Sequence, residues 1–356
     1  VITSDLRRAL AGAVAAAGLP PGADPGLRPV GGPGRPGRYA ASVALSLGPD
    51  PRAIARALAE TLAVEPWIEK AEVTGPGYLT ITVTTEALAG LADRITRAGP
   101  ACATSEALAG RTVAAPPQGD PLAAASWEKA RAALAAQLTA RLAAAAGATV
   151  TDSTDPERLR VPPPARSDSE PGEARTRSDD SRQVPGADPR RQETPATAVS
   201  FAGRDAVLFT LARAIPGRPL AVGEPIIARH VPGNPAYAVR YAHARAASGV
   251  RWGEIAALRC LPADPAELAL LDVLSWLPER VATAARRDRP DEFARYLEDL
   301  ASVTIDVLTT PRNPGCAADP GRAPAPGSDR LSLASAARTG LAAGLGLLGV
   351  SAPDRL

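Results

Sequence analysis

Two tyrosines, a histidine and two arginines fall in one short window, Tyr237 to Arg245. Aromatic faces can stack on nucleotide bases or pack in a core, and guanidinium forks bind phosphate or carboxylate oxygens. On a helix Tyr237 and Tyr241 share a face with Ala244, whereas Arg240 and His243 lie on a neighbouring face. From Arg229 to Arg259 there are five arginines and one acid, Glu254, in a chain whose formal charge is only +2. An aromatic seam edged by guanidinium groups suits a polyanion such as RNA. It also fits a bundle helix with a solvated charged face. His243 is then a satisfied structural histidine, and the tyrosines are core groups.

The window is positioned by a helix start. Asn234 is a good N-cap, and Pro235 suits the first helical position, where no backbone N–H is needed. Around it, residues 199–356 read as an all-α bundle. Asp264-Pro265-Ala266-Glu267 opens a helix striped by Leu270, Leu271, Leu274 and Leu277, broken or kinked at Pro278. Pro290 opens another, with Phe293, Tyr296, Leu297, Leu300 and Ile305 facing inward. The last helix, after a Pro/Gly-rich loop from Pro311 to Ser328, is striped by Ala334, Ala337, Leu341, Leu345 and Leu348.

Residues 1–98 read as a separate small α+β domain, helices on one face of a short antiparallel sheet. Ile2, Leu6 and Leu10 recur at helical spacing, and Tyr39–Leu47 alternates as a strand does. Asp50-Pro51 caps a helix with Ile54, Ala57, Leu58 and Leu62 on one face. Strands over Ile68–Thr74 and Tyr78–Thr84 are joined by Gly75-Pro76-Gly77, and Glu86–Arg97 is a closing helix. Residues 99–150 hold a strand, a loop and an Ala-rich helix. Residues 151–198 form a linker too polar to offset its chain entropy, so disorder is expected there.

Composition narrows the function. Only Lys70 and Lys129 are lysine among 40 basic residues, which a GC-rich genome explains, so arginine content alone says little about RNA. The absence of Met suggests that Val1 is a GUG start. Cys102, Cys260 and Cys316 form no CxxC pair and have two histidines beside them, so no metal and no cofactor is expected. With neither a signal peptide nor an apolar run of roughly 20 residues, no membrane is involved and a cytoplasmic protein is expected.

The Asn234–Arg245 segment resembles the first anticodon-domain helix of arginyl-tRNA synthetases, in which an Asn-Pro, two tyrosines and an Ala-His-Ala-Arg run recur in this order. Asp205-Ala206 is similar to that family's helix entering the anticodon domain, with Leu208 in place of Arg, and the tail from Leu347 to Pro353 is close to its C-terminus. The order of Gly37–Leu45, Asp50–Ala55 and Gly75–Leu79 is similar to the family's N-terminal additional domain, which touches the D-loop corner of tRNA. Arg38 and Ser42 stand where Asp and Asn are usual. Thr304, Thr309 and Thr310 replace an aromatic-rich patch, and Leu356 replaces a terminal Met near the anticodon.

Arg111 to Val150 looks like the first strand-loop-helix of the family's catalytic fold. Where the His-x-Gly-His signature would stand, the chain reads Ala123-Ala124-Ala125-Ser126-Trp127, with no imidazole to stabilise phosphate charge. No lysine follows Lys129, so the Lys-Met-Ser-Lys loop is absent as well. The resemblance therefore implies a truncated paralogue lacking the catalytic domain, a non-catalytic tRNA-binding protein of the DALR type, with an arginine-accepting tRNA as the suspected partner. The implied RNA-binding residues are Tyr237, Arg240, Tyr241, His243, Arg245, Arg251, Trp252, Arg338 and Leu356, with Tyr78 on the N-terminal domain. The alternatives are a protein-interaction or regulatory module with a protein partner and no RNA, and a residual arginine-tRNA ligase.

Overall fold

A computed structural model describes residues 2–30, 36–152, 194–220, 227–228, 230–231, 233–253, 265–310 and 330–356. The body of the expected linker, the 311–329 loop, Arg229, Glu254, Arg259, Cys260 and Cys316 lie outside the described residues.

The N-terminal module is the expected α+β unit. Strands β1 (Arg28–Pro29), β2 (Arg38–Ala41), β3 (Ile68–Thr74) and β4 (Tyr78–Val83) form an antiparallel sheet in the order β1-β2-β4-β3. Helices α1 (Ile2–Ala16) and α2 (Pro51–Leu62) belong to the same module. Leu79, Ile81 and Val83 are buried, as their alternation requires, and Tyr78 is exposed. Gly77 has φ +146°, and a Cβ there would meet Pro51 at 2.7 Å, so only glycine lets the hairpin turn rest on the start of α2.

Three expectations shift. The strand from Tyr39 stops at Ala41, because Ser42 N–H leaves the ladder for Pro25 O at 2.9 Å and Val43–Ser46 winds into a 3-10 turn. That turn breaks the period of two, and Leu45 becomes exposed. The buried face of α2 is Ala55, Leu58, Ala59 and Leu62, leaving Ala57 outside. The closing helix is two, α3 (Thr85–Ala89) and α4 (Leu91–Ala98), parted at Gly90.

In the middle segment, β5 (Thr112–Ala114) and β6 (Thr149–Thr151) pair in parallel across α5 (Trp127–Ala145), a βαβ unit. Ala130, Leu134, Leu138 and Leu142 bury one stripe of α5. Helix α6 (Pro195–Ala202) begins inside the span read as linker, with Thr194 accepting from Thr197 N–H at 3.2 Å as its cap. Then follow α7 (Arg204–Arg213), α8 (Pro235–Gly253), α9 (Pro265–Ser275), α10 (Leu277–Arg286), α11 (Pro290–Thr309) and α12 (Arg330–Leu347). Pro278, in the first turn of α10, separates it from α9. The stripes of α9, α11 and α12 are buried as expected, apart from Ile305, which is partly covered.

The module and the bundle share one core. Tyr39, fully buried on β2, packs against Trp276 at 5.3 Å between ring centres. Ser275 Oγ donates to Asp272 O at 2.7 Å, so in the 2.9 Å contact between the two hydroxyls it is Tyr39 that donates. Thr3 donates to Ser275 O at 2.6 Å, and Gly37 N–H to the Asp272 carboxylate at 2.9 Å. Arg7 and Arg286 bracket the buried Glu279 at 2.6 and 2.7 Å.

Candidate nucleic-acid interface

Asn234 performs the capping read from the sequence. Its Oδ1 accepts from Ala236 N–H at 3.1 Å, and its Nδ2 donates to Ile227 O at 2.9 Å. Helix α8 then buries Ala236, Val239, Ala242, His243, Ala246 and Ala247. The opposite side is left with Tyr237, Tyr241 and Trp252. Eleven residues of helix are three turns plus about 20°, so Tyr241 and Trp252 lie on one stripe. Tyr241 is 38% exposed and Trp252 66% exposed. Tyr237 stacks on Tyr241 at 5.7 Å, and His230 stacks on Tyr237 at 5.5 Å with planes 9° apart. Sequence reasoning missed His230 because it precedes the N-cap, where helical spacing carries no information.

Three of these arginines, Arg240, Arg251 and Arg338, hold the tail. Arg240 Nη2 lies 3.3 Å from Asp205 and 3.4 Å from Ser351 Oγ, and Ser351 also donates its N–H to Asp205 at 3.1 Å. Asp205, quoted above only as part of a motif, thus ties α7, α8 and the tail together. Arg338 forks onto the Asp354 carboxylate at 3.0 and 3.1 Å, which holds that carboxyl below its usual range. Arg251 donates to Asp354 O at 3.1 Å, and Arg245 to Leu308 O near the C-terminal end of α11 at 3.4 Å. Each of the four named arginines therefore has an acceptor within the chain, and their remaining N–H groups are what a phosphate could use. Leu356 ends the tail, exposed, and Tyr78 stands apart on the N-terminal module.

His243 is 2% exposed and donates from Nδ1 to Pro353 O at 2.9 Å, the structural alternative for this residue. Burial pushes its pKa below the ordinary 6.5, against the opposing pull of that hydrogen bond. An unfolded imidazole therefore takes up a proton before the folded one. Stability should be full above pH 6.5 and fall as pH drops from there toward the lowered folded value. In a His243→Gln variant, urea midpoints measured between pH 7 and about 5 should lose this part of their pH dependence.

The stretch Ala123–Ser126 presents methyl groups and one hydroxyl, and Ser126 Oγ accepts from Lys129 N–H at 3.3 Å as the cap of α5. Asp120, just before, is clasped by Arg204 at 2.8 and 3.1 Å. Among the described residues no group of His, Cys, Asp and Glu could hold a metal ion, and no helix is long and apolar enough to cross a membrane.

Residues 239–356 match the model of the DALR anticodon binding domain, and residues 37–83 that of the arginyl tRNA synthetase N terminal domain. The arginine–tRNA ligase of Bifidobacterium longum subsp. infantis is 34% identical over 186 residues, 44% of this chain and 29% of that protein. The ligase of Kineococcus radiotolerans is 37% identical over 170 residues, again 44% of this chain and 29% of the relative. The chain thus spans about three tenths of the length of the curated relatives it matches. In fold it is similar to the Thermus thermophilus arginyl-tRNA synthetase, with a TM-score of 0.62 at 17% identity over 99% of both chains. The chain thus shares two regions with arginyl-tRNA synthetases, one matching that family's N-terminal domain and one matching the DALR anticodon-binding domain.

Proposed function

We propose that this chain is a non-catalytic tRNA-binding protein, taking the anticodon stem-loop on α8 and the D-loop corner on the N-terminal module. The observation that carries the reading is the exposed pair Tyr241 and Trp252, within the region that matches an anticodon-binding domain, with the half-buried Tyr237 stacked on Tyr241. Exposed rings of this kind stack on bases, and the partly spent arginines around them add phosphate contacts. Tyr78 supplies one further exposed ring on the other module. Non-catalysis is supported by Ala123–Ser126, whose only hydroxyl caps a helix. An arginine-accepting tRNA is the first candidate partner, because the relatives are arginine–tRNA ligases.

The engagement of Arg240, Arg251 and Arg338 with the tail favours one second reading, a protein-interaction module that no longer meets RNA. Titrating the chain with bulk tRNA at several salt concentrations separates the two. RNA binding should weaken linearly in log–log form, with a slope of about 0.7–0.9 per phosphate contacted. Binding that ignores salt, or that is equal for an unrelated folded RNA, favours the second reading. Arginine-dependent exchange of pyrophosphate into ATP should be absent, and its presence would reinstate a ligase.

A further inference from the structure

A cavity of about 630 Å³ lies where the N-terminal module meets the bundle, between the 24–29 loop and α10. Its size falls in the range of roughly 300–1,000 Å³ usual for ligand sites. Its acids are already spent: Asp24 pairs with Arg7 and Arg286, and Glu279 with the same two arginines. Three further arginines line it. Arg28 and Arg280 have no carboxylate partner among the described residues, and Arg287 reaches only Glu292, at 3.2 Å across the surface. Arg280 is not loose, since its guanidinium sits 5.9 Å from the Trp276 ring centre and 6.0 Å from that of Tyr296.

The cation excess is felt inside the cluster. Burial, together with the neighbouring charges of Arg7 and Arg287, pushes the Arg286 pKa down to about 10. Trp276 forms one wall and is only 4% exposed, yet its indole N–H is buried with no acceptor. A buried indole N–H usually finds a partner. An oxyanion in the cavity would pair the guanidinium groups of Arg28 and Arg280, and the Trp276 indole beside them would report its arrival.

We propose that this junction cavity is a binding site for a phosphate group, held by Arg28, Arg280 and Arg287, with Trp276, whose ring carries Arg280, as one wall. The anion site stands on its own geometry; that the phosphate belongs to an RNA backbone rests on the tRNA reading. So placed, it would grip the RNA between the two modules and set their common register on it.

The chain has four tryptophans, and single Phe variants of Trp67, Trp127 and Trp252 assign the Trp276 indole signal in a ¹H–¹⁵N spectrum by elimination. Inorganic phosphate, and separately bulk tRNA, are then titrated into the full chain. The Trp276 indole signal should move with at least one of them, and Arg28→Ala, at an exposed position, should abolish or blunt the movement. A response to phosphate alone supports a site for free phosphate groups, and a response to tRNA alone one for the RNA backbone. In the latter case Arg28→Ala should weaken tRNA about three- to tenfold and lower the salt slope by about one. A Trp276 signal unmoved by both overturns the proposal, even where tRNA still binds. Failure of tRNA to bind at all defeats the tRNA reading and leaves the phosphate titration decisive.

Discussion

Replacing Tyr241 and Trp252 together by alanine is expected to weaken tRNA binding at least about thirtyfold, with the melting temperature little changed. Stacking is worth about 1–3 kcal/mol per base, so two lost rings cost about 2–6 kcal/mol. Both side chains are largely outside the core, which is why stability should be spared. Tyr241→Phe keeps the ring and should retain most of the affinity. Fluorescence anisotropy with labelled tRNA, beside a thermal melt, reads both quantities. Unchanged affinity in the double variant would remove the stripe from any RNA surface and favour the protein-interaction reading.

The second large effect is on folding. Tyr39→Ala should destabilise the protein by about 3–5 kcal/mol, the usual cost of emptying a buried aromatic site. Tyr39 is fully buried, packs against Trp276 and donates to Ser275, so it joins the N-terminal sheet to α9 and α10. Tyr39→Phe keeps the packing and removes one hydrogen bond, a loss of about 0.5–1.5 kcal/mol. Urea unfolding of the three proteins gives the ordering. Should Tyr39→Ala unfold at the same midpoint as the parent, the module and the bundle do not depend on this contact.

Local chemistry made much of this molecule legible from the chain. Asn234 and Pro235 announced a helix start because capping is satisfied within two residues. The leucines of α9 and the alternation of Leu79, Ile81 and Val83 announced buried faces, because apolar side chains must leave water together. Where expectation missed, a local pattern yielded to a contact distant in sequence. Ser42 left the sheet for Pro25, and Ala57 faced solvent because α2 docks through Ala55 and Ala59 instead.

The candidate interface divides in the same way. Helical spacing alone places Tyr237 and Tyr241 on one face. No spacing could reveal that Arg338 and Arg251 are engaged with Asp354, that Asp205 anchors Ser351, or that His230 completes the aromatic stack. Capping and periodic burial are settled among near neighbours, which is why most helices and strands, and the aromatic face of α8, could be read from the chain alone. Only the tertiary structure decided which arginines are already paired and where a cavity with unpaired ones lies, because ion pairing depends on distances between segments far apart in the chain.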